Sequence, residues 1–185
     1  MPNQNAIIVA MTVAGLTSSF MFMLVIPIQA DLPALLNASR ADTAWVVTST
    51  LLAAAIIAPI SGRLGDMYGK RRIVLILLAA MILGSVLAAL SSSLLLVVIG
   101  RTLQGAMTGV IPLGIAILRD TLHQNRVDTA IALNSATMGI GGAIGMPLSA
   151  YVAQIGDWHL LFWMSAVLGA ICFILVVVFI PPSTL

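Results

Sequence analysis

The sequence predicts an all-α integral membrane protein, a bundle of six transmembrane helices. Three observations predict it. Hydrophobic residues make up 61% of the 185, charged residues only 8%, and glutamate is absent. A soluble domain covers its surface with roughly a quarter charged residues, so this chain has too few charges to stay in water. The apolar residues fall in six runs, each near the ~20 residues that cross a hydrocarbon core. Six of the eight basic residues collect in two of the segments between those runs instead of spreading along helix faces.

The runs are taken in order. The first, 6–29, is longer than the apolar core of a secretory leader and has no basic segment before it, so it reads as a span. The second covers 43–62, the third 73–91 and the fourth 94–118. Residues 73–100 carry no charge, and one helix of that length would measure about 42 Å. That exceeds the bilayer core, so the chain turns, and Ser91-Ser92-Ser93 is the polar cluster at which it can. The fifth span covers 129–155 and the sixth 160–180, with Gly156 and Asp157-Trp158-His159 between them. The whole of 1–185 forms a single transmembrane domain.

Orientation follows from the basic residues. Arg63, Lys70, Arg71 and Arg72 lie between the second and third spans, and Arg119 and Arg126 between the fourth and fifth. Arg40 stands alone on the opposite side. The count places both termini in the cytoplasm, in a plasma (inner) membrane protein with lipid around it.

Several function classes are excluded. A net charge of +2, confined to segments beside spans, offers no nucleic-acid surface. The lone cysteine, Cys172, can form no internal disulfide and reads as inert packing. His123 and His159 are far apart, and no spacing suits a metal, so no cofactor is expected. No nucleophile set, phosphate-cradling loop or pair of buried carboxylates can be assembled, so the chain is not read as an enzyme.

Three stretches carry meaning. In the segment Gly62 to Arg72, GRLGDMYGKRR, Gly62 and Gly69 permit a tight reversal between two helices. Asp66 can pair locally with Arg63, Lys70 or Arg71, or face a helix N-terminus elsewhere. Arg101, in GRTLQGAMTGVIP, is the only charge well inside a span; its cost there directs it to the bundle interior or a wet cavity, the alternative being that the side chain snorkels to the interface, which its depth leaves within partial reach. Gly105 and Gly109 follow at i+4 and i+8 and smooth that face for helix contact. In the fifth span Thr137, Gly141, Gly145, Ser149 and Ala153 recur every four residues as a small-residue stripe, and Pro147 bends the same helix.

The spacing Gly62-x-Leu64-x-Asp66-x-x-Gly69-Lys70-Arg71 resembles the loop between the second and third helices of major facilitator superfamily transporters. Arg101, Gln104 and Pro112 resemble that family's fourth-helix motif. The fifth-span stripe is similar to the antiporter motif of drug:proton exchangers, with Met146 intervening between Gly145 and Pro147. Trp45-Val46-Val47-Thr48 and the Asp157-Trp158-His159 turn resemble the multidrug exporter branch with fourteen spans. The resemblance covers essentially the whole chain as the N-terminal six-helix half of such a transporter.

That resemblance implies alternating access between two six-helix halves about a central site. It implies a latch role for Asp66 and its basic neighbours, although Met67 departs from the family pattern, and a proton-coupling role for Arg101. Thr17, Ser18, Gln29, Arg101 and Gln104 are the polar candidates to line a path along the first and fourth helices. Where exporters of that branch carry an acid in the first helix, this chain has Ser18, and its six aspartates all fall at span ends or loops. The expected partners are a small lipophilic or cationic solute, protons, and a missing C-terminal half or a second copy of the chain. The alternatives are a homodimeric facilitator of another solute and a non-transporting membrane scaffold or regulator.

Overall fold

The computed structural model describes residues 3–182. Among them, six helical stretches are long and apolar enough to cross a membrane. In hydrocarbon every backbone N–H and C=O must be satisfied within the chain, and helices do so with no help from neighbours.

The first span starts at α1 (Gln4–Met23), where the Asn3 side chain accepts from the backbone N–H groups of Asn5 and Ala6 at 3.1 and 3.3 Å. This cap satisfies donors that a helix start leaves open. The chain then tightens into a 3-10 turn at Ile26–Asp31, with Pro27 near its start, and continues as α2 (Leu32–Leu36). Asn37, in left-handed backbone at φ 51°, closes α2, and α3 (Arg40–Thr43) leads into α4 (Trp45–Tyr68), the second span. The third is α5 (Lys70–Leu90). The fourth consists of α6 (Leu94–Gln104), a 3-10 stretch at Gly105–Gly109 and α7 (Val110–Thr121). The fifth and sixth are α8 (Gln124–Ile155) and α9 (His159–Phe179).

Three boundaries differ from the sequence expectation. The segment 62–72 is not a loop: α4 continues through Gly62, Arg63 and Asp66 to Tyr68, and only Gly69 leaves helical geometry before α5 begins. Gly69 has φ 100°, a conformation that suits a residue without Cβ; Gly62 is ordinary helix. Likewise the expected 119–128 loop shrinks to Leu122 and His123, because Arg119 and Asp120 belong to α7 while Arg126 and Asp128 belong to α8. Charges mark where a span leaves the hydrocarbon, but the helix itself runs on. Third, the fourth span changes pitch at Gly105–Gly109. Pro112, with no N–H, cannot bond the carbonyl four residues earlier, and the tighter turn sits where that bond is missing.

Helix contacts rest on small residues. Gly84 of α5 and Gly100 of α6 face each other so closely that a Cβ on Gly100 would lie 2.5 Å from the Gly84 carbonyl oxygen. Met11, Met21, Leu24, Leu78, Met81, Met107 and Phe162 fill the centre of the bundle and are essentially inaccessible. The spans are unequally buried. Over its apolar stretch the first is 56% buried, against 28% for the second and 17% for the fifth.

Candidate functional site

Arg101 lies in α6, one helical turn before Gln104, and both side chains enter the bundle centre; they are 1% and 0% exposed. The guanidinium Nε donates to the Val46 carbonyl in α4 at 3.1 Å. Nη1 donates to the Met21 carbonyl in α1 at 3.1 Å and to Gln104 Oε1 at 2.9 Å, and Met21 Sδ lies 3.6 Å away. With its oxygen turned to the cation, the Gln104 amide points its nitrogen outward and donates to Ser85 Oγ in α5 at 2.8 Å. Ser85 Oγ in turn donates to the Met81 carbonyl at 2.8 Å and lies 3.3 Å from Ser165 Oγ in α9. Thr50 Oγ1 completes the frame, donating to the Arg101 carbonyl at 3.0 Å.

One cation is thus linked to five of the six spans, with no counter-ion among the described residues. Among the described residues the ion pairs are Lys70–Asp120 and His159–Asp157, and neither involves Arg101. Its charge is balanced by carbonyl dipoles and an amide, an arrangement that a low-dielectric interior strengthens.

The other path candidates are placed as follows. Thr17 and Ser18 are buried in α1; Thr17 Oγ1 donates to the Val13 carbonyl at 2.8 Å, and Ser18 Oγ has no hydrogen-bond partner among the described residues. Gln29 is not brought to this network; it lies in the 3-10 turn and donates through Nε2 to the Thr43 carbonyl at 3.0 Å.

At the other end of the bundle, Gly65, Asp66, Gly69, Lys70, Asp120 and Thr121 help to line a cavity of about 250 Å³. Lys70 forms an ion pair with Asp120 at the end of α7, so the local partner expected of Asp66 belongs to another carboxylate, and no salt bridge holds Asp66 among the described residues. Arg71 Nη2 donates to the Val177 carbonyl at 3.1 Å and ties the start of α5 to the end of α9. Gly62 and Arg63 stand on the outer side of α4.

The small-residue positions divide by neighbour. Gly105 approaches the Thr50 carbonyl and Ala53, and Gly109 approaches Ile57, Ser61 and Leu77. Gly141 and Gly145 meet Leu16, Ser19 and Phe20 of α1, whereas Pro147 is exposed. Ser19 Oγ donates to the Met138 carbonyl across the same contact. Sequence reasoning missed Ser85, Ser165, Thr50 and Asp120. A lone serine inside the otherwise apolar third span was the available signal for Ser85. Asp120 was signalled by its place beside Arg119, on the same side as Lys70.

Residues 8–184 match the Major Facilitator Superfamily. An uncharacterised MFS-type transporter of Bacillus subtilis is 32% identical over 130 residues, 70% of this chain and 29% of that protein. The tetracenomycin C resistance and export protein of Streptomyces glaucescens is 29% identical over 169 residues, 91% of this chain and 31% of that protein. The inward-open xylose transporter of E. coli superposes with a TM-score of 0.85 at 15% identity, over 98% of this chain and 48% of that one; at that identity the likeness shows the fold alone. The chain spans about a third of those two curated relatives and about half of the solved transporter, and its six helices form one half of that fold. It belongs to the major facilitator superfamily.

Proposed function

We propose that the chain is the N-terminal half of a proton-coupled exporter of small lipophilic or cationic compounds, working by alternating access. The carrying observation is the buried Arg101 with no carboxylate beside it. An arginine at the centre of a span costs about 2.5–3.5 kcal/mol even on the lenient insertion scale. A passive scaffold gains nothing from that cost. In a transporter the same cation supplies a fixed charge beside the first and fourth spans, whose partner changes as the second half, a solute or a proton arrives. The chain's own aspartates lie at helix ends and in turns, so the titrating acid of this mechanism belongs to the second half. Relatives whose names record tetracenomycin C export and multidrug resistance support the direction and the solute class.

The unequal burial supports the docking of a second six-helix unit. The broad, poorly buried faces of α4 and α8 are where it would sit, with both termini in the cytoplasm and the Asp66–Lys70 end as the inner gate. Intact mass of the polypeptide purified from source membranes should then give a species of about twice this length or more. Reconstituted in proteoliposomes, that species should show solute-dependent fluorescence dequenching driven by a proton gradient. Arg101→Met, which keeps the volume and removes the charge, should bring the signal to background while insertion is retained. Undiminished transport in that variant would remove Arg101 from the mechanism.

A further inference from the structure

The histidine at the start of α9 bridges two turns that are far apart in sequence. His159 Nδ1 lies 2.6 Å from Asp157 Oδ1, and Nε2 lies 2.6 Å from the backbone carbonyl oxygen of Ser91. The first contact stays within the turn between α8 and α9; the second reaches the turn between α5 and α6. The Ser91 side chain accepts from the Ser93 N–H at 3.0 Å and steadies the turn that presents this carbonyl.

The two acceptors decide the chemistry. A carbonyl oxygen has no proton to give, and neither has an ionised carboxylate. Neutral imidazole carries one N–H, and only the imidazolium has two. Asp157 is ionised under ordinary conditions: the backbone N–H of His159 donates to it at 3.1 Å and holds its carboxyl below the usual carboxylate range. Both contacts are therefore hydrogen bonds only when His159 is charged. Trp158 favours the same form. Its ring stacks on the imidazole with centroids 3.8 Å apart and is itself braced edge-on by Phe162, an arrangement in which the aromatic face attracts a cation.

We propose that Asp157, His159 and the Ser91 carbonyl form a pH-operated clasp that holds the α5–α6 turn against the α8–α9 turn. On loss of the proton the remaining N–H stays with the ionised Asp157 carboxylate, the stronger acceptor, so the Nε2 lone pair faces the Ser91 carbonyl oxygen and the turns separate. The sign is set by both partners. The clasp is closed while His159 is charged against an ionised Asp157 and opens on loss of the imidazolium proton; in acid, with Asp157 protonated, the charged imidazole still donates to the Ser91 carbonyl and the turns stay joined. Among the described residues no side chain other than Asp157 forms an ion pair with His159. The facing ends of α5, α6 and α9 carry no further charged side chain. Tyr151 of α8, and Asp31, Arg40 and Asp42 in the connection between the first and second spans, make no hydrogen bond or ion pair with His159 among the described residues.

The device is independent of the solute reading, and its test reads a distance, not transport. Spin labels at Ser92→Cys and Ile155→Cys, in a Cys172→Ser background in lipid nanodiscs, report the separation of the two turns. The expected result is a narrow distance distribution near pH 5 that lengthens or broadens towards about pH 8, the interval in which histidine changes charge. His159→Arg keeps the charge and more than one donor, and should stay narrow throughout. His159→Gln has a donor for one oxygen only and should be broad throughout. A distribution that ignores pH in the parent, or a pH response that survives in His159→Arg, overturns the clasp.

Discussion

Gln104 shows how a single side chain divides its work. Its oxygen takes one hydrogen of the Arg101 guanidinium and its nitrogen reaches Ser85, so it joins α6 to α5 while helping to balance a buried charge. Gln104→Leu keeps much of the volume and removes both bonds. Hydrogen bonds between membrane helices contribute about 1–2 kcal/mol or less each, because the unfolded reference state in the membrane also finds partners. Unfolding in mixed micelles should therefore show a loss of about 1–2 kcal/mol for the pair. A loss well beyond that would mean that the guanidinium is left without compensation. The Lys70–Asp120 pair is of another kind. It lies half in water, where such pairs contribute little and are screened by salt.

At the scale of elements, the two glycines of the Gly62 to Arg72 segment have opposite physics. Gly62 sits in the regular part of α4, and a Cβ built there meets nothing within 4 Å. Gly62→Ala should stabilise the chain by about 0.5–1 kcal/mol, the ordinary gain from replacing a helical glycine. Gly69 is the whole turn between α4 and α5, at φ 100°. Gly69→Ala should cost about 1–3 kcal/mol through backbone strain. Thermal unfolding in detergent should move the two variants in opposite directions, and a common direction would refute the one-residue turn. The 3-10 stretch at Gly105–Gly109 follows similar logic. Gly105 lets the Thr50 carbonyl of α4 come close, which in turn keeps Thr50 within reach of the Arg101 carbonyl.

For the whole molecule, the charge asymmetry sets the expected orientation, and accessibility tests it. Met67, at the end of α4, is exposed on the side rich in Lys and Arg; Ser92, between α5 and α6, is exposed on the other. Ser92→Cys should react with a membrane-impermeant maleimide in intact cells, and Met67→Cys only after permeabilisation. The native Cys172 is fully buried and should stay silent. The reverse pattern would invert the topology and place the His159 clasp inside. The exposed faces of α4 and α8 belong to this scale too, since a bundle that left its second and fifth spans so bare would present them to lipid or to another six-helix unit.

By itself the sequence determined the number and order of the spans and the placing of Arg101 inside one of them. Those properties are local: run length is matched to the thickness of hydrocarbon, and a charge in such a run stands out wherever the helix goes. The Ser91–Ser93 turn was readable for the same reason. The tertiary structure decided which faces meet. Nothing in the apolar run around Ser85 says that Gln104 will reach it, and nothing near Lys70 says that its carboxylate comes from 50 residues away. The length of the turns was hidden as well, because charges report where the membrane ends and not where the helix does. His159 looked like one residue of a polar turn until folding brought the Ser91 carbonyl to its second nitrogen. Partner choice between distant polar groups depends on helix packing, and packing is a property of pairs of surfaces that no single run of residues contains.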